Sequence, residues 1–205
     1  MEVTHKRLAV LVSGSGTNLQ AIIDAIKDRS LPNTEIAIVI SNKQDAYALK
    51  RAENNDIPSI FLDPKQYKSK EEYDQKLAEI IKEQNIDLIV LAGYIRILTK
   101  SFIQAFDKDK IINIHPALLP KYGGKGMYGN NVHKAVLENN EKESGCTIHY
   151  VTHEVDAGPI IAQEKVPVCE NDTIESLSKR IRVKEHKLFV KAINTVLSKP
   201  IIRAK

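Results

Sequence analysis

The stretch LAVLVSGSGTNLQAII, Leu8–Ile23, decides the fold. Leu8 to Val12 is a short, unbroken apolar run, the pattern of a strand buried on both faces, as in parallel sheets. Ser13-Gly14-Ser15-Gly16-Thr17 breaks that run. Asn18 to Asp28 then carries Leu19, Ile22, Ile23 and Ile26 at helical spacing. The unit is strand, glycine loop, helix. Two glycines allow close backbone approach, and a helix N-terminus offers unpaired N–H groups to an anion. The loop is either a plain strand-to-helix turn or a phosphate cradle. No Gly-Lys-Ser/Thr is present, Leu19 stands where a dinucleotide fingerprint wants Gly or Ala, and Ser41-Asn42 replaces the expected acidic ribose ligand. A phosphorylated small molecule fits this pattern better than NAD.

The same alternation continues outward. Strands are expected at Glu35–Ile40, Pro58–Leu62, Leu88–Ala92 and Lys110–Ile114, with helices at Ala46–Asn54, after a Ser69/Glu72 capping box, and after a Thr99 cap. Leu88–Ala92 is wholly apolar and is expected at the sheet centre. Pro116 to Asn131 is too rich in glycine for regular structure and too long for a simple turn, so it reads as a functional loop. A short helix at Val132–Glu138, strands at Cys146–Val151 and Ile160–Val166 (the second an antiparallel partner) and a long helix capped at Asp172 or Thr173 complete the chain. The charges of that last helix are expected on a solvated face opposite Leu177, Ile181, Leu188 and Ile193. The fold class is α/β: a doubly wound, mostly parallel Rossmann-like sheet with an antiparallel C-terminal part. One domain over residues 1–205 is expected, with a phosphate-binding lobe at about 1–110 and a catalytic lobe at about 111–205.

Composition agrees with one α/β domain of 205 residues, 42% of them hydrophobic. No apolar run approaches the ~18 residues of a membrane span, and Met1 to Val12 is not expected to be a signal peptide. Thirty Lys and Arg face 26 Asp and Glu, and Trp is absent, so no basic stripe with interleaved aromatics marks a nucleic-acid binder. Two cysteines, Cys146 and Cys169, build no disulfide framework, read as small packed hydrophobes, and suit a reducing, cytoplasmic setting. No Cys-x-x-Cys or His-Glu-x-x-His pattern exists, and His149 and His153 share a strand rather than a helix, so no metal is expected.

Chemistry concentrates after the strands, where ligands bind in open α/β sheets. Asn113 and His115 are two apart on a strand and face the same way. They form either a satisfied polar strand end or an oxyanion donor beside an acid–base group. Asp156 lies in a Gly-Pro turn; it is either a turn aspartate or the carboxylate that orients His115 and raises its pKa.

On these residues the chain resembles the folate-dependent phosphoribosylglycinamide formyltransferase family. The resembling segments are Val12–Ile23, Leu91–Leu98 (LAGYIRIL), Asn113–Lys121 (NIHPALLPK) and Asp156–Ile160 (DAGPI), in the family's order. The resemblance implies that the amine of glycinamide ribonucleotide attacks the formyl carbon of 10-formyltetrahydrofolate through a tetrahedral intermediate. It implies Asn113, a protonated His115 and Asp156 as catalytic residues. It implies Gly14, Ser15, Gly16, Thr17 and Asn18 around the substrate phosphate, and Glu185 on the ribonucleotide. It implies a folate site of Lys70, Ile95, Arg96, Ile97, Leu98, Asn113, Glu154, Val155 and Asp156. Lys70 stands where relatives often carry Arg, and Gly123–Asn130 is longer and richer in glycine than in many of them. Partners are then two small molecules, with no nucleic acid or membrane, and a monomer or weak homodimer.

Three other functions compete. Formyltetrahydrofolate hydrolase shares the Asn, His and Asp but is expected to carry an N-terminal regulatory domain. Methionyl-tRNA formyltransferase is expected to carry an added C-terminal domain. A non-catalytic phosphometabolite-binding module explains the glycine loop but leaves Asn113, His115 and Asp156 unexplained.

Overall fold

The computed structural model describes residues 5–198. The first four residues of the opening segment and the end of the 1–205 domain span, 199–205, lie outside the described residues.

Among the described residues seven strands form one sheet. In chain order they are β1 (Lys6–Val12), β2 (Thr34–Ser41), β3 (Ser59–Phe61), β4 (Leu88–Leu91), β5 (Ile111–His115), β6 (Glu143–Tyr150) and β7 (Ile160–Pro167). The helices are α1 (Thr17–Lys27), α2 (Tyr47–Glu53), α3 (Lys70–Glu83), α4 (Lys100–Gln104), α5 (Asn130–Glu138) and α6 (Ile174–Leu197). The spatial order is β3-β2-β1-β4-β5-β6-β7, which puts the all-apolar β4 in the middle as expected. The first five strands are parallel, whereas β6 runs antiparallel to β5 and β7 antiparallel to β6.

Strand alternation explains the two cores. Leu8, Val10 and Val12 join one buried cluster, and Ala9 and Leu11 join the other. Leu88 and Val90 likewise part from Ile89 and Leu91. Successive side chains point to opposite faces, so a sheet covered by helices on both sides must be apolar at every position of its inner strands. Leu177, Ile181, Phe189 and Ile193 of α6 fill one face, while Tyr73, Leu77 and Ile81 of α3 fill the other.

Caps follow the sequence in kind. Thr173 forms a reciprocal capping box with Ser176, and Thr99 caps α4. The box expected at Ser69 is only half made. Ser69 accepts the Glu72 N–H, but the Glu72 carboxylate accepts from Lys68 N instead of returning to Ser69. β6 begins three residues before the expected Cys146, because Glu143, Ser144 and Gly145 pair with Pro167, Val166 and Lys165. Cys146 is buried as expected, and burial pushes its thiol up to about 12, but Cys169 is exposed and packs in no core.

The chain switches direction across the sheet between β1 and β4. Such a sheet opens a crevice there, beyond the carboxyl ends of the strands. The loops after β1, β4 and β5 all lead into it.

Candidate active site

The crevice is a cavity of about 680 Å³, a size that suits a drug-sized ligand. One wall is the loop after β1, Gly14 to Asn18. Gly16 has φ +70°, and a Cβ there would sit 2.7 Å from the Ala48 Cβ. Both the left-handed backbone and the close approach of α2 therefore require glycine. Among the described residues, no protein acceptor takes the N–H groups of Ser15, Gly16, Thr17 or Asn18. The loop presents free donors at the start of α1. Asn42, at the end of β2, accepts from Ser13 Oγ, and that hydroxyl in turn accepts the Ile95 N–H. Asn42 thus links the β1 and β4 loops rather than facing a ribose.

The strap after β4, Gly93 to Leu98, forms a second wall with the turn 152–156. Ile95, Ile97 and Val155 are exposed, an apolar rim in a chain that buries most large hydrophobics. Two neighbours on α3 hold the strap from behind. Asp74, buried, accepts the Thr99 N–H at 2.6 Å, and Tyr73 Oη lies 3.0 Å from Tyr94 Oη. The Arg96 guanidinium lies over the Tyr73 ring, 4.4 Å from its centroid.

At the cavity floor stand Asn113 and His115, side by side on β5 as their spacing predicts. Asp156 reaches them from the 152–156 turn. Its Oδ2 lies 3.5 Å from His115 Nδ1 and accepts the Gly124 N–H at 2.9 Å. Its Oδ1 lies 3.6 Å from His149 Nε2. Burial alone would raise the Asp156 pKa, but the neighbouring His149 and His115 rings and the Gly124 N–H together hold it below the ordinary value.

His115 departs from expectation. Its pKa is lowered, because burial outweighs the pull of Asp156 and of the Tyr122 carbonyl. The Nε2–H donates to Tyr122 O at 2.7 Å. The neutral ring therefore carries its proton on Nε2, and the uncapped Nδ1 faces Asp156.

His149 was given no role by sequence reasoning. β6 pairs antiparallel with β5, and the register sets His149 opposite Asn113. Its Nδ1–H donates to Tyr150 O at 2.9 Å, which leaves Nε2 as the ring atom that accepts from Asn113 Nδ2 at 3.1 Å. Cross-strand pairing of β6 with β5 was the signal that could have found it. The sequence names no partner for His133 either. It is buried on α5 at the cavity wall, and burial, with Arg182 and His115 adding to it, lowers its pKa to about 4.

The structure gathers most of the remaining candidates. Gly14, Ser15, Gly16, Thr17, Asn18, Ile95, Arg96, Ile97, Leu98, Glu154, Val155 and Glu185 all line the cavity. Glu185 is buried, which pushes its carboxyl up to about 6 against a hydrogen bond from Asn18 and the Arg182 charge. The wholly solvated charged face expected for α6 is corrected here, since Ser178, Arg182 and Glu185 belong to the cavity wall. A 24-residue helix turns part of its polar side inward wherever a cavity rather than a core lies opposite. Lys70 is not brought in. It is exposed at the first turn of α3 and lines no part of the cavity. Among the described residues no group of histidine, cysteine and carboxylate side chains is arranged to hold a metal ion. None of the described helices is long and apolar enough to cross a membrane.

A doubly wound sheet with free loop donors on one wall, an apolar rim on the other and an Asn–His–Asp group between them defines an enzyme of carbonyl-group transfer. The chain belongs to the formyl transferase family, whose pattern matches residues 6–193. Within it, the phosphoribosylglycinamide formyltransferase of Haemophilus influenzae is 45% identical over 90% of this chain and 84% of its own length. The chloroplastic phosphoribosylglycinamide formyltransferase of Arabidopsis thaliana is 41% identical over 98% of this chain and 68% of its own. The crystal structure of glycinamide ribonucleotide transformylase 1 from Symbiobacterium toebii superposes with a TM-score of 0.90 at 40% identity, covering 100% of this chain and 93% of that one. The chain spans only 14% of the trifunctional purine biosynthetic protein adenosine-3 of Chironomus tentans, to which it is 46% identical.

Proposed function

We propose that this chain transfers the formyl group of 10-formyltetrahydrofolate to the amine of glycinamide ribonucleotide, a step of purine biosynthesis. The observation that carries this reading is the joining, in one cavity, of free loop N–H donors, an apolar strap and the Asn113–His115–Asp156 group. A ribonucleotide phosphate fits the 14–18 donors. Glu185 faces the same end of the cavity and suits a ribose hydroxyl. The pterin of the folate fits the backbone of 95–98 and the 154–156 turn, with Ile95, Ile97 and Val155 as its apolar contacts. Asn113 and Asp156 belong to both sites, since the formyl group must lie where the two substrates meet.

The folate supplies a formyl carbon bound to a nitrogen that becomes the leaving group. As the amine attacks, negative charge develops on the formyl oxygen. Asn113 donates a hydrogen bond to it through an amide that His149 orients. The attacking amine must lose a proton and the leaving nitrogen must gain one. His115, neutral in the free protein, takes up a proton at Nδ1, and Asp156 at 3.5 Å stabilises the imidazolium so formed. The imidazolium supports the oxyanion and then returns the proton to the leaving nitrogen. The expected protonated resting His115 is thereby replaced by a histidine that becomes charged during the reaction. We infer a single functional unit with a phosphate end at about 1–110 and a catalytic end beyond it. The site residues call for two small-molecule substrates and no metal. Monomer or weak homodimer and a cytoplasmic location stay with this reading as expectations.

The test is spectrophotometric turnover of 10-formyltetrahydrofolate with and without glycinamide ribonucleotide. Turnover that requires the ribonucleotide is expected. Turnover without it selects a hydrolase, and none with either substrate selects a binding module.

A further inference from the structure

Arg51 lies outside the cavity, on the far side of the loop after β1. Its Nε donates to the Ser15 carbonyl at 2.8 Å and its Nη1 to Gln20 Oε1 at 2.9 Å. Its Cζ lies 5.0 Å from the Tyr47 ring centroid, so three partners from α1, α2 and the loop hold one guanidinium. One residue earlier, the Gly14 carbonyl accepts the Ala48 N–H at 3.1 Å. Two consecutive loop carbonyls therefore point at α2. In a trans peptide the N–H points opposite to its C=O. The N–H groups of Ser15 and Gly16 must then point away from α2, toward the cavity that Ser15 and Gly16 line. Consecutive N–H groups turned to one side make an anion-binding concavity. Neither N–H has a protein acceptor among the described residues.

We propose that Arg51 is the positioning residue of the phosphate loop: by holding the Ser15 carbonyl on α2 it turns the Ser15 and Gly16 N–H groups to the substrate phosphate. The inference rests on the reading of 14–18 as the phosphate site. Gln20 and Tyr47 fix the guanidinium, and the guanidinium fixes the peptide. An unrestrained Ser15–Gly16 peptide is free to rotate its N–H out of the cavity, since Gly16 tolerates either sign of φ. Arg51 touches no substrate, so its loss acts on ribonucleotide binding and leaves the carbonyl chemistry alone.

The experiment follows the Ser15 and Gly16 amide resonances during titration with inorganic phosphate, in the wild type, Arg51→Met and Arg51→Lys. Steady-state constants and thermal midpoints are measured on the same proteins. In the wild type both amides are expected to shift on saturation with phosphate. Arg51→Met is expected to need about tenfold more phosphate, in keeping with loss of a hydrogen bond from a charged donor. It should raise the KM for glycinamide ribonucleotide by a similar factor and leave kcat and the KM for the folate unchanged. Arg51→Lys, which keeps a charged donor, should recover most of the loss. Wild-type phosphate affinity in Arg51→Met overturns the role of Arg51. An equal rise of both KM values also overturns it, because that marks general loosening. Wild-type amides unmoved by phosphate overturn instead the phosphate reading of the loop.

Discussion

Asn113 Nδ2 lies 3.1 Å from His149 Nε2, across the antiparallel pair β5–β6. The contact fixes which end of the Asn113 amide meets the ring. His149 gives its Nδ1 proton to Tyr150 O and so offers a lone pair at Nε2. The Asn113 NH₂ must therefore turn toward His149, and its second N–H is left for the cavity. An amide flipped the other way would present an oxygen to a developing oxyanion.

Replacing Asn113 with Ala should lower kcat by a factor of ~10²–10³ with little change in either KM, as for other oxyanion donors. His149→Ala should lower kcat by about tenfold, because Asn113 then keeps its donors but loses their orientation. Steady-state kinetics on the two variants and the double mutant check this. The double mutant should match Asn113→Ala, since His149 acts through Asn113.

Asp156 and His115 should also behave as one unit. Asp156→Asn keeps the shape and removes the charge that pulls the His115 pKa upward, so the His115 titration should move still lower. Turnover should fall strongly, and adding Asp156→Asn to His115→Ala should cost little more than His115→Ala alone. Neutral His115 is the form that accepts the proton. The acid limb of kcat/KM should therefore lie below the ordinary histidine value of about 6.5. NMR titration of His115 and pH–rate profiles of both proteins decide it; additive losses with an unmoved titration would reduce Asp156 to a turn residue.

Acid should destabilise the fold through its buried histidines. His133 has a pKa of about 4 in the folded chain and about 6.5 unfolded. The unfolded state thus binds the extra proton first as pH falls. The stability His133 contributes is fully present above about 6.5 and is lost progressively as pH drops to about 4. At 1.36 kcal/mol per pKa unit the loss is roughly 3 kcal/mol for this residue. His115 and His186, also lowered by burial, act in the same direction. Urea unfolding at pH 7 and pH 4.5 should show the fall, and His133→Gln should flatten it.

Asp74 should matter to the folate rather than the ribonucleotide. It accepts the Thr99 N–H at 2.6 Å and so fixes the C-terminal end of the strap. Asp74→Ala should raise the folate KM several-fold and cost about 1–3 kcal/mol of stability, the range for a buried bond left unmade. Asp74→Asn keeps an oxygen acceptor and should recover most of both. The KM for glycinamide ribonucleotide should stay as it is. Lys70→Met, outside the cavity, should leave the folate KM close to wild type.

Much of this molecule was legible along the chain. The apolar runs of β1, β2 and β4 announced a sheet covered on both faces. Gly14 and Gly16 announced a loop that a backbone approaches closely, and the structure adds that the approaching element is α2. Asn113 and His115 were legible because strand alternation is local: two residues apart means one face. Asp156 was legible as a turn aspartate or a carboxylate for His115, but only the folded chain brings the two to 3.5 Å. Lys70 lies outside the cavity lining, a placement that sequence position alone does not give.

Local sequence determined the strands, the caps and the loop that needs glycine, because each depends on periodicity and φ/ψ preference over a few residues. Tertiary structure alone decided the partnerships. His149 meets Asn113 through an antiparallel register set 36 residues apart in the chain. Arg51 meets Ser15 through the packing of α2 against a loop 36 residues away. The His115 pKa falls rather than rises because burial, a sum over all the elements closing around that ring, exceeds the attraction of the one carboxylate that a motif could name. Desolvation has no address in a sequence; it exists only once the chain has folded around the group.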